Sequence, residues 1–286
     1  MTETKTPDGQ PEEELPFVAP CRDLAVTAPL GWIGKAWKDM RSAPAHSLTY
    51  GAVIVAVSLI VAGVAMRFGG YWLLLTLISG FIFVAPVLAV GTYAISKQLE
   101  KGQPCSLRRC FSEEQRAFGN LMVFALISMI VFLVWARAGS AIHVFFPVGE
   151  QPDWGDYLRF FGIGSAVGSI FAAVVFALSA FSLPMIMDRR VDTVTAVVTS
   201  VNAVLRNKFA MTVWAGLIIL AVSPGFALLF VSREEGRVAA LLMLALGITL
   251  PLIGHATWHG YRATIDASEW PQRGDEWADD PDVRPA

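Results

Sequence analysis

The residues best suited to chemistry are two histidines near the end of the last apolar segment. His255 and His259 are four positions apart, so a helix places both on one face. Imidazoles at this spacing can bind a metal ion or a haem, and His46 begins the first apolar segment on the same side of the membrane. The motif HATWH lacks the glutamate of a zinc protease, and an aromatic belt at the membrane surface is the commoner explanation for histidines beside Trp258 and Tyr261. We favour the belt, assign no metal ligand or cofactor, and keep these three histidines as candidates.

Three prolines occupy similar positions in the chain. Pro86, Pro184 and Pro251 each lie in the second arm of an apolar hairpin. Proline removes one helical hydrogen bond and clashes with the preceding turn, so each position predicts a kink. Three equivalent kinks would shape a cavity between the arms, or they would only repeat one helix geometry without forming a pathway. Both interpretations stay open.

Two further motifs predict contacts rather than catalysis. Gly164 and Gly168 form a GxxxG pattern, which is typical of closely packed membrane helices. Arg189 and Arg190 follow an apolar segment directly, where they would either contact anionic lipid or only set the orientation of the chain. No catalytic motif of the common enzyme classes is present, which removes the commonest enzymes without excluding others, and our interpretation is a protein that is not an enzyme.

Composition places all these residues in a membrane protein. Apolar types make up 55% of the 286 residues and charged types only 16%, whereas soluble domains carry about 25% charged residues. The apolar residues cluster in runs long enough to cross a bilayer. The net charge of −2 offers no basic surface for a nucleic acid, so nucleic acid is excluded as a partner and the lipid bilayer is expected.

The elements that would position these residues form a repeated pattern. Six spanning helices are predicted, in three antiparallel hairpins, at 47–66, 71–95, 119–139, 159–186, 209–231 and 238–260. An amphipathic helix that would lie on the membrane surface precedes each hairpin, at 30–41, 107–118 and 193–207. The fold class is therefore all-α and polytopic, with a pseudo-threefold repeat.

Charge predicts the orientation and the chain limits of this membrane domain. Most of the 22 lysines and arginines fall in the termini and in the connections between hairpins, and these segments face the cytoplasm by the positive-inside rule. Both termini are therefore expected in the cytoplasm. Residues 30–262 form the membrane domain, between disordered acidic tails at 1–29 and 263–286.

Three separated blocks resemble one known family. They read FVAPVLAVGTYAISKQLEKGQ (83–103), FALSAFSLPMIMDRRVDTVTAVVTSVNAVLRN (176–207) and LPLIGHATWHGYR (250–262). Together they resemble the bacterial integral membrane proteins grouped as domain of unknown function 2189. The resemblance implies a multi-span fold in the inner (cytoplasmic) membrane of a bacterium, and it implies no activity, substrate or catalytic residue.

Three functions remain compatible with these features. The first is a non-enzymatic scaffold or assembly factor that contacts other membrane proteins, because the predicted spans contain few polar groups. The second is a small-solute permease or channel whose path runs among the proline-kinked helices. The third is a haem- or metal-binding membrane protein that uses His255 and His259, with His46 as a further candidate ligand.

Overall fold

The computed structural model describes residues 16–68, 83, 85–145, 153–231 and 235–273, and the regular structure in this part of the chain is helical, with short irregular segments between and beyond the helices. Within these ranges β structure is limited to two isolated bridges, Cys21–Ile265 and Arg189–Gln272. Nine helices occur there: α1 Ala28–Ser42, α2 Pro44–Phe68, α3 Val90–Glu100, α4 Leu107–Phe145, α5 Trp154–Ser179, α6 Ser182–Asp188, α7 Thr193–Arg206, α8 Lys208–Val231 and α9 Glu235–Thr264.

Three stretches of these helices are long and apolar enough to cross a membrane. They are Pro44–Val61, Leu107–Ile142 and Gly162–Asp188, and the bent pair α7–α8 makes a fourth if it counts as one broken span. The predicted second span, 71–95, falls mostly outside the described residues. The predicted sixth span, 238–260, lies within α9, which is not among these candidates. An all-helical membrane protein is confirmed, whereas six spans and the threefold repeat stay predictions.

The three predicted surface helices have different outcomes. The first, α1, is a separate helix, because Pro44 keeps Ala43 out of helical geometry between α1 and α2. The third, α7, is also separate: it ends at Asn207, where the chain bends by 101° before α8. The second, at 107–118, needs correction because it is the first part of the continuous 39-residue helix α4. No proline interrupts 107–145, so nothing in the local sequence stops the helix.

α7 also turns a different face inward from the one that hydrophobicity predicts. Thr195, Thr199 and Ser200 are buried, whereas Val194 and Leu205 are more than half exposed. Two of the buried hydroxyls bond to the backbone of neighbouring segments: Thr199 Oγ1 accepts from Ala19 N at 3.1 Å, and Ser200 Oγ donates to Ala177 O at 2.7 Å. Hydroxyl groups with partners can occupy a protein interior, and this leaves the larger apolar side chains for the exterior.

α9 is the central helix of the described structure and packs against α1, α2, α3 and α8. Its glycines allow close approach: a Cβ at Gly260 would press against the ring of Trp32, and a Cβ at Gly254 would collide with Thr92. Trp32 in turn makes edge-on contacts with Phe181 and Trp214. Aromatic side chains from α1, from α8 and from the residue just before α6 therefore close one side of α9.

Both chain-terminal segments are joined to the end of α9. Arg22 N donates to Thr264 O at 2.7 Å, and Asp266 N donates to Pro20 O at 2.9 Å. Residues 16–27 and 265–273 fall in the predicted acidic tails, yet Ala19 and Trp270 are buried. These two segments thus cover one end of the helical bundle, here called the terminal face. The remaining tail residues, 1–15 and 274–286, lie outside the described ranges.

Candidate functional site

A buried histidine joins three helices beneath the terminal face. The imidazole of His255 lies between two serine hydroxyls: its Nε2 is 2.9 Å from Ser47 Oγ on α2, and its Nδ1 is 2.7 Å from Ser96 Oγ on α3. All three side chains are fully buried. The ring therefore connects α2 and α3 through α9, in a place where water cannot replace either partner.

A carboxylate from α1 completes this arrangement. Asp39 Oδ2 accepts a hydrogen bond from Ser96 Oγ at 2.8 Å and is 2.8 Å from His259 Nε2. The side chains of Asp39 and His259 are only about one-seventh exposed, at 13% and 15%. We call Asp39, Ser47, Ser96, His255 and His259 the histidine network. It ties four helices, α1, α2, α3 and α9, to one another.

One assignment of protons satisfies every contact of the histidine network. Ser96 donates to the Asp39 carboxylate, so its oxygen is available to accept from Nδ1–H of His255. His255 Nε2 then carries no proton and accepts from the hydroxyl of Ser47. His259 donates through Nε2–H to Asp39. A neutral His255 thus fits without a buried unpaired group, which would be costly at this depth.

The register between α2 and α9 explains why His255 meets Ser47. One turn after Ser47 on α2, Gly51 lies against Gly247 and Pro251 of α9, which precede His255 on that helix. A Cβ at position 51 would collide with the carbonyl of Gly247. The next turn places Val55 against Gly247. We call these contacts the α2–α9 seam. Glycine at position 51 lets the helix backbones approach, and that approach brings the serine within hydrogen-bonding distance of the imidazole.

A second polar cluster lies beside the first and contains mainly charged groups. Lys97 Nζ on α3 is 3.3 Å from Glu113 Oε2 on α4, and both side chains are nearly buried. Nζ also donates to Met187 O at 3.1 Å and to Arg273 O at 2.8 Å. Burial lowers the pKa of Lys97, and the Glu113 carboxylate opposes that shift. This lysine therefore links α3 and α4 to the C-terminal segment.

Asp188, at the end of α6, organises the rest of this cluster. Its Oδ2 accepts from Tyr261 Oη at 2.9 Å and from Arg189 Nε at 3.0 Å, and Arg262 lies 3.6 Å away. Burial and the neighbouring Asp188 carboxylate raise the pKa of Tyr261 well above its ordinary value. Tyr261 thus remains a neutral hydrogen-bond donor, which suits a structural role.

The predicted metal ligands are only partly brought together. His255 and His259 share the histidine network through Ser96 and Asp39, whereas no hydrogen bond between described residues connects His46 with it. Among the described residues, no three histidine, cysteine or acidic side chains are grouped as a metal site would require. Both ring nitrogens of His255 already have serine partners. A metal at His255 would have to displace one of them.

The three prolines lie in different surroundings. Pro86 precedes α3, and Pro251 lies inside the continuous helix α9. Pro184 is the third residue of α6, just after the helix is interrupted at Ala180 and Phe181. At that interruption Ser200 Oγ accepts from Phe181 N at 3.0 Å and donates to Ala177 O at 2.7 Å. A serine from α7 therefore replaces the helical bond that residues 177 and 181 would otherwise form.

The structure separates the two arginines predicted to contact lipid. The side chain of Arg189 is buried, and it donates from Nη1 to Trp270 O at 2.8 Å as well as to Asp188. This corrects the predicted lipid contact for Arg189, because a guanidinium engaged inside the protein cannot bind headgroups. Arg190 is exposed, and its lipid contact stays a prediction.

The predicted packing glycines differ from those that pack closely. A Cβ at Gly164 or Gly168 would meet nothing within 4 Å. Close approaches instead involve Gly51, Gly91 and Gly254, none of which belongs to a GxxxG pair predicted from the sequence. Gly164 and Gly168 therefore do not mediate close packing between the described helices of this chain. If they mediate packing, their partner must be something other than these helices.

Sequence reasoning missed Asp39, Ser47, Ser96 and Lys97. Asp39 had a detectable signal, because it is the one acid in the otherwise basic stretch LGWIGKAWKDMR. Ser96 and Lys97 follow an apolar run, where polar residues usually mark only the end of a span. Their partners are distant in sequence, and no local pattern indicates them.

Comparison with known proteins agrees with this membrane architecture. No curated protein and no solved structure matches the chain. Residues 73–188 match the family described as predicted integral membrane protein (DUF2189), a range that includes α3 and α4, the helix interruption before Pro184, and Asp188. The resemblance inferred from the sequence blocks is therefore confirmed for residues 73–188, which are similar to the family of predicted integral membrane proteins described as DUF2189.

Proposed function

We propose that this chain is a non-enzymatic scaffold or assembly factor of the bacterial inner membrane, with six spans and both termini in the cytoplasm. The observation that carries the proposal is the histidine network. Its buried polar groups bond to one another, and they hold α1, α2, α3 and α9 in one arrangement. A network satisfied from within stabilises a fixed shape and presents no group that waits for a substrate.

The outer faces of the helices support the same proposal. α2 exposes Val53, Leu59 and Ile60, and α4 exposes Leu126, Ile130 and Leu133. Such surfaces suit contact with lipid or with the spans of other membrane proteins. A rigid interior with apolar outer faces is the arrangement expected of a protein that works by packing against its neighbours.

The function can be tested by deleting the gene and complementing it with tagged protein. We expect at least one membrane complex to change in abundance or size on native gels, and the tagged chain to co-purify with a component of that complex in mild detergent. Unchanged complexes together with no stoichiometric partner would contradict the scaffold. Solute flux in reconstituted vesicles, lost when Pro86, Pro184 and Pro251 are all replaced, would support a permease instead.

The six-span topology needs a separate test. Reporter fusions at positions 29, 69, 104, 150, 192, 234 and 270 sample every predicted connection and both terminal segments. We expect activity of a periplasm-dependent reporter only at 69, 150 and 234, because most basic residues lie in the other segments. Activity at 270 would refute the proposed orientation.

A further inference from the structure

Helix α1 has two opposite faces, and the inner face fixes the helix in place. Trp32, Ala36 and Met40 are buried against the rest of the bundle. Asp39 adds the hydrogen bonds of the histidine network, which connect α1 to α3 and α9. Because the inner face is held by packing and by buried polar bonds, the outer face has a fixed orientation before any partner binds to it.

The outer face of α1 combines exposed aromatic, basic and glycine residues. We call the following residues the α1 outer surface: Leu30, Gly31, Gly34, Lys35, Trp37, Lys38 and Arg41. Positions 30, 34, 37 and 41 follow one another along one stripe of the helix, and positions 31, 35 and 38 lie along the neighbouring stripe. A Cβ at Gly31 or Gly34 would meet nothing within 4 Å, so the middle of this surface is open.

The cations of the α1 outer surface are not neutralised within the described part of the chain. Lys35, Lys38 and Arg41 form no ion pair or side-chain hydrogen bond with any residue of the described ranges. By contrast, exposed Arg206 is paired with Asp23 at 2.6 Å. The single acid of α1 belongs to the histidine network on the inner face. The α1 outer surface therefore has positive charge without a counter-ion among the described residues.

The α1 outer surface lies where the chain enters a candidate span. Arg41 comes shortly before the stretch Pro44–Val61, so it is within about 11 Å of the first residue of that span even along a fully extended chain. Lipid headgroups occupy the layer beside the hydrocarbon core, and tryptophan side chains favour the same layer. The amphipathic pattern predicts only that α1 lies on the membrane, whereas cations without a counter-ion indicate which lipids it contacts.

We propose that the α1 outer surface is a binding site that selects anionic phospholipid headgroups over zwitterionic ones. Lys35, Lys38 and Arg41 supply the attraction, and glycine at positions 31 and 34 leaves room for a headgroup beside the helix backbone. The acidic residues within 1–15 have the same charge as the lipid and are the alternative occupant that the experiment must separate. This inference is independent of the scaffold proposal, because a preference for one lipid requires no protein partner.

Photo-crosslinking from the middle of the α1 outer surface tests the proposal on the full chain. Gly34 is replaced by p-benzoylphenylalanine, and the protein is placed in nanodiscs with equal amounts of phosphatidylglycerol and phosphatidylcholine that have identical acyl chains. Mass spectrometry then identifies the adducts. We expect mainly lipid adducts, with the anionic lipid in excess by about threefold or more, since each cation near the surface strengthens binding to anionic lipid by roughly fivefold. Added salt should reduce the excess.

Matched variants separate charge from folding. Lys35→Gln, Lys38→Gln and Arg41→Gln together should abolish the excess of anionic lipid, whereas Lys35→Arg, Lys38→Arg and Arg41→Lys together keep the charge and should keep the excess. Arg137→Gln removes an exposed cation from α4 and should leave the excess unchanged. The proposal is overturned if the two lipids are captured equally, if the glutamine variant retains the excess, if the charge-preserving variant loses it, or if the adducts form mainly with residues 1–15.

Discussion

Pro184 and Pro251 take the same place in the predicted pattern, yet the structure accommodates them in opposite ways. Before Pro184 the helix is interrupted, and Ser200 from α7 bonds to both Phe181 N and Ala177 O. Around Pro251 the helix continues, and the carbonyl of Gly247, which proline cannot bond, faces the backbone of Gly51. One site uses a hydroxyl inserted from another helix, and the other uses a close approach between backbones.

This difference shows that a proline determines where a hydrogen bond is lost but not how the surrounding helices respond. Before Pro184, a serine from α7 satisfies Phe181 N and Ala177 O, which lie next to the 180–184 pair that the proline itself breaks, and the interrupted helix keeps these two groups bonded. A glycine beside the freed carbonyl allows a neighbouring helix to pack there, and the helix stays continuous. Substitutions at each site can test whether these neighbours, rather than the prolines, control the local geometry.

The largest effect is expected for His255→Ala, at the polar end of the α2–α9 seam. The change leaves a cavity and removes partners from buried Ser47 and Ser96, for a cost of roughly 3–5 kcal/mol in the free energy of unfolding. Denaturant titration in mixed micelles measures it. His259→Ala is the matched comparison and should cost less, because that ring has one bonded partner, Asp39, whereas His255 has two fully buried ones. Equal losses would mean that the seam does not depend on the buried bonds.

Gly51→Ala should have the next largest effect. A methyl group at this position would overlap the carbonyl of Gly247, so α2 and α9 must separate, for a cost of about 2–3 kcal/mol. Gly63→Ala, on the same helix, is the control, since a Cβ there meets nothing within 4 Å. Thermal unfolding of the two variants in detergent would reveal the difference. A Gly51→Ala protein as stable as Gly63→Ala would show that close approach is unimportant beside Pro251.

Ser200→Ala tests the other site and should cost about 1–3 kcal/mol. The variant leaves Phe181 N and Ala177 O without their shared partner in a buried position. Amide hydrogen exchange should become faster at Phe181 specifically. A general loss of stability would instead raise the exchange rate across the whole protein. Ser169→Ala is the control, because that exposed hydroxyl bonds only within its own helix. Unchanged protection at Phe181 would contradict the bridging role of Ser200.

The smallest effects are expected from Pro184→Ala and Pro251→Ala, each below about 1 kcal/mol. Alanine restores an N–H at each position, yet the surrounding packing already suits the existing backbone. With Ser200 present, we expect the interruption at Phe181 to persist in Pro184→Ala, as judged by hydrogen exchange. A newly continuous helix there would show that the proline, and not its neighbour, decides the geometry.

Much of the fold was predictable from apolar length alone. The helical class, the candidate spans near 47–66, 119–139 and 159–186, and the separate helices α1 and α7 agree with the sequence patterns. The prediction of a separate surface helix at 107–118 was wrong, because an amphipathic pattern does not distinguish a separate helix from the first turns of a longer one. The candidate site was predicted only in part. His255 and His259 were identified, whereas Ser47, Ser96 and Asp39 were not.

The sequence by itself indicated that this chain belongs in a membrane, because its apolar runs with few charges are long enough to cross a bilayer. It also determined where the helical hydrogen bonds must fail, since proline has no N–H to donate. Only the tertiary structure decided that Ser200 bridges the helix interruption before Pro184, which serines flank His255, and that Arg189 is buried rather than exposed to lipid. Those outcomes depend on contacts between residues up to 208 positions apart, and the local pattern of side chains contains no record of such partners.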